Sequence, residues 1–319
     1  MKAAVYTRYG PPDVIQLKEI PIPTPGENEV LVRVHATTVN RTDCANLTAQ
    51  PSFMRLTMGL TNPKRQTLGT DFAGKVEAVG EKVTALSVGD KVWGFGDGGI
   101  GSQAEYLSFP VGDAIAKFPE GLTYEQAAAS LEAAHYAYNF INKVTLVPGQ
   151  KVLLNGATGG IGSALLQFLK YHGLYVTAVC PTPTIDLMKS LGADKIIDYT
   201  QQDLTTDDEH YDYVFDAVGK STFGQCKPLL KEKGIYISSE LGPGGQNIFL
   251  ALSTPLLGGK KVLFPLPFNI KKSMEFIGAL IEKGAFMPVI DRTYPLDDIA
   301  EAYRYVLTGQ KVGNVVVRV

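Results

Sequence analysis

The sequence predicts an α/β fold that joins an all-β module to a doubly wound parallel sheet. From Met1 to about Gly121, short alternating runs such as "VLVRVHATTVN" and "FAGKVEAVG" are separated by Gly, Pro, Asn or Asp, as antiparallel strands are. After "TLVPGQ", strand-like and helix-like stretches alternate, which is typical of a parallel sheet covered by helices. A chain of 319 residues is also long enough for two domains.

The end of the chain predicts a discontinuous domain. "SMEFIGALIEKGAFMP" and "GNVVVRV" indicate a helix and a strand that the parallel sheet does not need. We expect them to return to the first module. The β-rich domain is therefore predicted to cover residues 1–122 and 270–319, and the parallel-sheet domain residues 123–269.

Composition excludes several classes of protein. A net charge of −2 gives no sign of a nucleic-acid partner or an anionic membrane, and no apolar run approaches the roughly 18 residues of a membrane span. The N-terminal "MKAAVYTRYG" lacks the apolar core of a signal peptide, which predicts a cytoplasmic protein. The three scattered cysteines, Cys44, Cys180 and Cys226, fit a reducing compartment.

The stretch "KVLLNGATGGIGSALLQFLK", from Lys151 to Lys170, indicates a strand, a glycine-rich turn and a helix. Its small residues match the dinucleotide fingerprint: Ala157 would close the turn, Gly159 would let the backbone approach a pyrophosphate, and Gly162 would let the helix lie on the strand. An ordinary tight turn is the alternative, because glycine patterns alone are weak signals. The flanking strand and helix, and a second strand ending about 20 residues later, favour a Rossmann cofactor site. The predicted phosphate loop consists of Ala157, Thr158, Gly159, Gly160, Ile161 and Gly162.

The end of the second predicted strand bears on the choice of cofactor. An acid at this place would hold the ribose 2′-hydroxyl of NAD and repel a 2′-phosphate, yet "CPTPT" contains none. It contains no arginine or lysine either, so a 2′-phosphate would depend on threonine hydroxyls, backbone N–H groups and a tyrosine. This pattern favours NADPH. The remaining predicted cofactor contacts are Cys180, Thr182, Thr184, Tyr199, Ala217, Val218 and Leu241.

Motifs spread over the whole chain carry a family resemblance. They are "GTDFAGKVEAVG", "VGDKVWGF", "GATGGIG", "LGADKIIDY", "DYVFDAVG" and "PVIDRTYPLDDIAEAYRYV". With them the chain resembles the medium-chain dehydrogenase/reductase superfamily, specifically its zinc-free, zeta-crystallin-like quinone oxidoreductase branch. The resemblance implies a GroES-like β-rich catalytic domain beside the Rossmann domain.

The resemblance also implies that no metal is bound. Zinc alcohol dehydrogenases of this superfamily carry a cysteine where this chain has Asn40, a His-Glu pair at Thr70 and Asp71, and a further cysteine near Leu131 and Glu132. Zinc prefers thiolate and imidazole ligands, which are missing at these positions. Without a Lewis acid, removing a hydride from an alcohol is difficult, whereas reducing a quinone or an α,β-unsaturated carbonyl needs only hydrogen-bond donors for the developing negative charge.

Three residues are candidates for catalysis. The resemblance implies that Asn40 and Thr42 of "VNRTD" lie at the hydride-transfer cleft, Asn40 as an amide donor and Thr42 as a hydroxyl that donates or relays a proton. The alternative for Asn40 is a turn-capping role. His135 is a third candidate donor, and a structural interdomain histidine is the alternative.

The function predicted from these observations is a zinc-independent oxidoreductase that transfers hydride from NADPH to a quinone or enone. A zinc-type alcohol dehydrogenase and a non-catalytic NADPH-binding or structural protein are the alternatives. A homodimer is also predicted, because the apolar run at Val262–Phe264 would leave an unpaired sheet edge that a second subunit could pair. A monomer whose edge is capped by "GGQNIFLALSTPLLGG" is the alternative.

Overall fold

The computed structural model describes residues 1–112 and 114–319. The strands are β1 (Lys2–Val5), β2 (Gln16–Glu19), β3 (Glu29–Val39), β4 (Asp71–Val79), β5 (Lys91–Phe95), β6 (Tyr106–Pro110), β7 (Ile115–Lys117), β8 (Lys151–Asn155), β9 (Tyr175–Cys180), β10 (Lys195–Asp198), β11 (Tyr211–Asp216), β12 (Leu230–Ser238), β13 (Lys261–Leu263), β14 (Ile290–Pro295) and β15 (Asn314–Arg318). The helices are α1 (Arg41–Thr48), α2 (Arg55–Met58), α3 (Tyr124–Ala129), α4 (Glu132–Ile141), α5 (Gly160–Tyr171), α6 (Ile185–Ser190), α7 (Phe223–Cys226), α8 (Gln246–Leu257), α9 (Ile270–Glu282) and α10 (Ile299–Leu307).

The chain forms two compact units. Unit 1 consists of Met1–Ala133, Ile270–Glu282 and Pro288–Val319, and unit 2 consists of Ala134–Asn269 and Lys283–Met287. The predicted α/β fold class, with a β-rich part and a parallel-sheet part, is confirmed. The predicted domain limits, residues 1–122 with 270–319 and residues 123–269, stay a prediction.

Unit 1 is built on a seven-stranded sheet in the order β14-β15-β3-β4-β5-β7, with β6 paired to β3. The eleven-residue β3 is its centre, because it pairs antiparallel with β4, β6 and β15. The C-terminal strand β15 therefore lies next to an N-terminal strand. A core under α10 contains Leu47, Tyr303 and Val317, which fixes α1 against that helix.

Unit 2 is a six-stranded sheet in the order β10-β9-β8-β11-β12-β13, and all of its pairings are parallel. The strand order reverses at β8: the chain continues first to β9 on one side and later to β11 on the other. Ligands of doubly wound sheets bind beyond the carboxyl ends of the strands at such a reversal. The fold thus predicts where a cofactor site lies in this unit before any side chain is considered.

Helix α8 covers the outer side of the edge strand β13. The Val262 N–H donates to Thr254 Oγ1 of α8 at 2.8 Å, so this donor is already used within the chain. The capping segment considered from the sequence is therefore in place, and it occupies one of the groups that strand pairing with a second subunit would require. Helix α8 also leaves large apolar side chains exposed, among them Phe249, Leu252, Leu256 and Leu257. In the described ranges, neither α8 nor another helix has the length and apolar character to cross a bilayer.

Candidate active site

The phosphate loop follows β8 in unit 2. Gly156 has a φ of 76°, a left-handed conformation that side chains avoid, and a Cβ there would lie 2.7 Å from the Val218 side chain. Gly156 therefore makes the turn, one residue before the position that the fingerprint predicts. Ala157 is fully buried and its N–H donates to Val179 O at 3.3 Å. This bond ties the loop to the end of β9.

Two glycines of the loop differ in the reason for their presence. A Cβ on Gly162 would lie 2.1 Å from Gly156 O, so the close contact of α5 with the loop requires glycine there. At Gly159 the nearest heavy atom of the described residues would be Gly156 O at 3.9 Å. The protein's own packing therefore does not require glycine at 159. A ligand in contact with the backbone would require it, and Gly159 is the residue that caps α5. This geometry fits a pyrophosphate.

The ends of β8 and β11 are joined beside this loop. Asp216 closes β11, and its carboxylate accepts from Asn155 Nδ2 at 3.3 Å and from the N–H groups of Val218, Gly219 and Ser221 at 3.2, 2.9 and 3.0 Å. These bonds fix the turn that contains the predicted contacts Ala217 and Val218, both half-buried. Sequence reasoning missed Asp216 as the residue that shapes the site.

The predicted contacts after β9, β10 and β12 lie at the same carboxyl edge of the sheet. Cys180 is buried at the end of β9, Thr184 is buried, Tyr199 is exposed just after β10, and Leu241 is half-buried after β12. The topology thus brings the predicted cofactor residues to one edge, and their contact with a cofactor stays a prediction.

An acid lies beside the acid-free turn after all. Asp198 ends β10, and its carboxylate accepts from Thr182 Oγ1 at 2.5 Å and from Thr200 Oγ1 at 2.7 Å. The hydrogen bond from Thr182 is the largest cause that lowers the pKa of Asp198. The Thr182 hydroxyl predicted to bind a 2′-phosphate therefore donates to a carboxylate. "LGADKIIDY" contains this acid, but only the pairing of β9 with β10 places it there.

In unit 1, Asn40 begins α1 as its N-cap. Its Oδ1 accepts from the Asp43 N–H at 2.9 Å, and Asp43 Oδ2 accepts from the Asn40 N–H at 3.0 Å. Its Nδ2 donates to Thr70 Oγ1 at 3.0 Å and to Thr38 Oγ1 at 3.4 Å. The capping role is therefore in place, and donation from Asn40 to a substrate would require one of these bonds to break. That donation stays a prediction.

The positions at which zinc relatives carry ligands form a hydrogen-bonded group in this chain. Thr70 Oγ1 accepts from Asn40, and both carboxylate oxygens of the buried Asp71 accept from Thr38, at 2.7 Å from its N–H and 2.5 Å from its hydroxyl. These groups supply neither thiolate nor imidazole, so they do not fit a zinc ion. No cluster of His, Cys, Asp and Glu suited to a metal occurs among the residues that the structure describes. A metal-free enzyme stays a prediction.

Thr42 has a partner that sequence reasoning did not assign. Its Oγ1 lies 2.8 Å from Oε1 of Glu132, the first residue of α4. Glu132 is only 7% exposed, and burial raises its pKa to about 8. We refer to Asn40, Thr42, Asp43, Asp71 and Glu132 as the polar cluster. Sequence reasoning could have noted only that Glu132 is an acid in the apolar run "AAASLEAAHYA".

His135 lies in unit 2, buried on α4. Burial lowers its pKa to about 4, so the imidazole is neutral near pH 7. Its Nε2 lies 3.3 Å from Nδ2 of Asn139, which also donates to the His135 carbonyl at 2.9 Å. These contacts agree with the structural alternative considered from the sequence, and a catalytic role stays a prediction.

Comparison with known proteins gives two family matches. The model for the alcohol dehydrogenase GroES-like domain matches residues 26–120. The model described as zinc-binding dehydrogenase matches residues 191–317.

Several curated proteins and solved structures are similar along the whole chain. The NADPH-dependent alkenal/one oxidoreductase of Arabidopsis thaliana is 31% identical over 99% of this chain and 79% of its own length. The quinone oxidoreductase QR1 of Triphysaria versicolor is 29% identical over 99% of this chain and 98% of its own length. The structure of the quinone oxidoreductase from Coxiella burnetii has a TM-score of 0.88 at 28% identity and covers 100% of this chain and 99% of its own.

Proposed function

Since this chain belongs to the medium-chain dehydrogenase/reductase superfamily, we propose that it is a zinc-independent oxidoreductase that reduces quinones or α,β-unsaturated carbonyls with NADPH. Relatives named as quinone and alkenal/one oxidoreductases support the substrate class. The cofactor is a nicotinamide dinucleotide, and NADPH in particular is part of the proposal.

The observation that carries the proposal is the hydrogen-bonded group formed by Asn40, Thr70 and Asp71. At the positions that hold zinc in alcohol dehydrogenases, the side chains of this protein form hydrogen bonds within the chain. Asn40 donates to Thr70, and Asp71 accepts from Thr38. A carbonyl oxygen would have to be polarised by hydrogen-bond donors instead of a Lewis acid. Conjugated acceptors suit this arrangement, because they already delocalise the incoming negative charge.

Unit 2 supplies the residues that would hold the cofactor. The backbone of Gly159 and the N-terminus of α5 would bind the pyrophosphate, since anions are stabilised where helix N–H groups lack acceptors. When bound, the reduced nicotinamide supplies the hydride. The acid-free turn at 180–184 supports NADPH, and the carboxylate of Asp198 acts against a 2′-phosphate, so we expect a moderate preference for NADPH.

Unit 1 supplies the hydroxyl of Thr42 for the substrate. Hydride addition to an enone leaves negative charge on the conjugated oxygen, and a donor close to that oxygen stabilises the charge. Thr42 is half-buried, and Asn40 and Asp43 fix the start of its helix. The neutral His135 is a second candidate donor.

The test is an assay panel of quinones, alkenals and cyclic enones with NADPH and NADH. We expect turnover of at least one acceptor class, tighter binding of NADPH in fluorescence titration, and the same rate after treatment with strong chelators. Oxidation of simple alcohols that depends on one zinc per chain would instead establish the alcohol dehydrogenase alternative. Cofactor binding with no turnover over the whole panel would establish the non-catalytic alternative.

A homodimer is a further part of the proposal. The exposed apolar side chains of α8 support it, because isolated monomers seldom expose so many large apolar residues on one element. The sequence predicts Val262–Phe264 as the seam, but α8 already occupies the Val262 N–H of that edge, so we expect the α8 face to contribute more. Analytical ultracentrifugation of Leu252→Lys and Leu263→Lys tests this expectation. Dissociation by Leu252→Lys alone supports the α8 face, dissociation by Leu263→Lys alone supports the strand edge, and a monomeric wild type refutes the dimer.

A cytoplasmic location remains part of the proposal as well. Three free, buried thiols support a reducing compartment. Fractionation of cells that express the tagged full chain tests it, and recovery in an organelle or a membrane fraction would contradict it.

A further inference from the structure

Either Thr42 or Glu132 can be the donor in the hydrogen bond between them. The two oxygens are 2.8 Å apart. If Glu132 is a carboxylate, Thr42 must donate its only hydrogen to it. If Glu132 is protonated, the carboxyl donates to Thr42 Oγ1 and leaves the Thr42 hydrogen available for another acceptor. The protonation of Glu132 therefore determines the direction in which Thr42 donates.

The surroundings of Glu132 favour the protonated form. Carboxylates face it from three elements: Asp43 of α1, Asp71 of β4 and Asp97 after β5. The half-buried Lys311, which precedes β15, opposes them by attraction, and its Nζ also donates to Gly313 O at 2.6 Å.

Burial is the largest influence on Glu132 and raises its pKa to about 8. Burial also raises the pKa of Asp43. The Oδ1 atom of Asp43 has no hydrogen-bond partner among the residues that the structure describes. Three buried acids beside one half-buried lysine therefore retain protons near pH 7.

We propose that Glu132 is the positioning residue that directs the Thr42 hydroxyl toward the substrate and supplies that hydroxyl with a new proton. This inference rests on the proposed function. It adds the source of the proton that a reduction of a C=C or quinone bond consumes.

The hydride that a bound reduced nicotinamide would give up from its own C–H bond adds to the β-carbon of an enone. The π electrons then move to the carbonyl oxygen to form an enolate. The O–H bond of Thr42 breaks as its hydrogen bonds to the enolate, and Thr42 Oγ1 takes the hydrogen of the Glu132 carboxyl at the same time. Glu132 is left as a carboxylate and takes up one proton from water before the next turnover. A hydride and one solvent proton have then been added to the substrate.

The first test compares pH profiles of kcat for wild type and Glu132→Gln at saturating NADPH and enone. Wild-type kcat should fall above about pH 8, because the ionised Glu132 holds the Thr42 hydrogen. Glutamine keeps a donor toward Thr42 but carries no transferable proton, so we expect kcat to fall by about 10-fold to 100-fold and to lose this alkaline decline. Glu125→Gln, which removes a half-buried acid of α3, is the matched control and should keep the wild-type profile.

A second pair of variants separates the relay from folding. Thr42→Ser, which retains a hydroxyl, should retain the alkaline decline of kcat, whereas Thr42→Val should lower kcat by about 100-fold with little change in KM for NADPH. Thr48→Val removes a half-buried hydroxyl of the same helix that bonds to Cys44 O, and it should leave kcat unchanged. If Glu132→Gln does not fold, Thr42→Val decides: an unchanged kcat would overturn the inference.

The third readout needs no turnover. Infrared difference spectra of wild type minus Glu132→Gln, without cofactor, should contain the C=O band of a protonated carboxyl at pH 7 that disappears with a midpoint near pH 8. An ionised Glu132 at pH 7 would overturn the inference. An inactive wild type would refute the proposed function, and the infrared titration would still decide the state of Glu132. An active wild type with an unaltered alkaline decline in Glu132→Gln would refute the inference alone.

Discussion

The phosphate loop of unit 2 and the polar cluster of unit 1 differ in what fixes their geometry. The loop depends on backbone sterics. Gly156 takes a left-handed conformation, and Gly162 must lack a Cβ, because that atom would lie 2.1 Å from Gly156 O. The cluster depends on hydrogen bonds between side chains, such as that of Thr42 with Glu132. Burial raises the pKa values of Asp71 and Glu132, so these bonds depend on protonation. The sterics of the loop contain no titrating group, whereas the hydrogen bonds of the cluster change with proton binding.

The largest effect should come from glycine substitutions that separate ligand contact from packing. Gly159→Val should reduce cofactor binding beyond detection with little change in Tm, since its Cβ meets no close protein atom in the described ranges. Gly162→Val should lower the stability of unit 2, by about 3 kcal/mol or more, because its Cβ meets Gly156 O. Fluorescence titration and calorimetry measure the two effects. Retained cofactor affinity in Gly159→Val would place the phosphate site elsewhere.

Next in size is the effect of pH on the stability of the polar cluster. Burial raises the pKa of Asp71 to about 6 from an ordinary value of 3.8, so its proton stabilises the folded state below pH 4 and this contribution disappears as pH rises through 6. The difference between a pKa of 3.8 and one of about 6 corresponds to a loss of at most about 3 kcal/mol in the free energy of unfolding. Urea unfolding at pH 4.5 and pH 7 should therefore show a smaller difference in Asp71→Asn than in wild type.

Asp90 provides the control of opposite sign for Asp71. The hydrogen bond from Lys117 lowers the pKa of Asp90, so its contribution to stability is present above the ordinary pKa and is lost only at lower pH. Asp90→Asn should leave the difference between pH 4.5 and pH 7 as in wild type. If Asp71→Asn also leaves it unchanged, Asp71 does not titrate as its burial indicates.

The smallest effect concerns cofactor discrimination. Asp198→Asn removes a carboxylate that accepts from Thr182 and would repel a 2′-phosphate, so affinity for NADPH should rise by a few-fold relative to NADH. The gain should shrink at high salt, because the carboxylate is partly exposed to solvent. Asp203→Asn removes an exposed acid whose carboxylate accepts from Thr205, and as the control it should leave the ratio unchanged. An unaltered ratio in Asp198→Asn would show that the adenosine phosphate lies away from this acid.

The sequence predicted the loop better than the cluster, and the reason is physical. A glycine fingerprint expresses local sterics, so Gly159 and Gly162 can be interpreted from neighbouring residues alone. The position of the turn was shifted by one residue, because the left-handed conformation falls on Gly156. The Thr42–Glu132 bond joins residues 90 positions apart, so the sequence near either residue does not predict it.

Asp198 was missed for a related reason. An acid that binds the ribose usually follows the second strand directly, and here the turn after β9 has none. Strand β10 pairs with β9 and places Asp198 opposite Cys180 in the sheet. An acid 18 residues away in sequence from Cys180 is thus a neighbour across strands, and only the pairing register shows this.

The bond from the Val262 N–H to Thr254 links the edge of the sheet to the docking of α8. Whenever α8 detaches, this amide loses its acceptor, and Leu250 and Ala251, which pack against the unit 2 core, are uncovered in the same event. The deuterium exchange rate of the Val262 amide therefore measures how often α8 detaches from β13 and makes the sheet edge available to another chain. A Thr254→Val variant would accelerate that exchange and, by leaving the edge donor unsatisfied, would shorten the time before the protein forms intermolecular strands on storage.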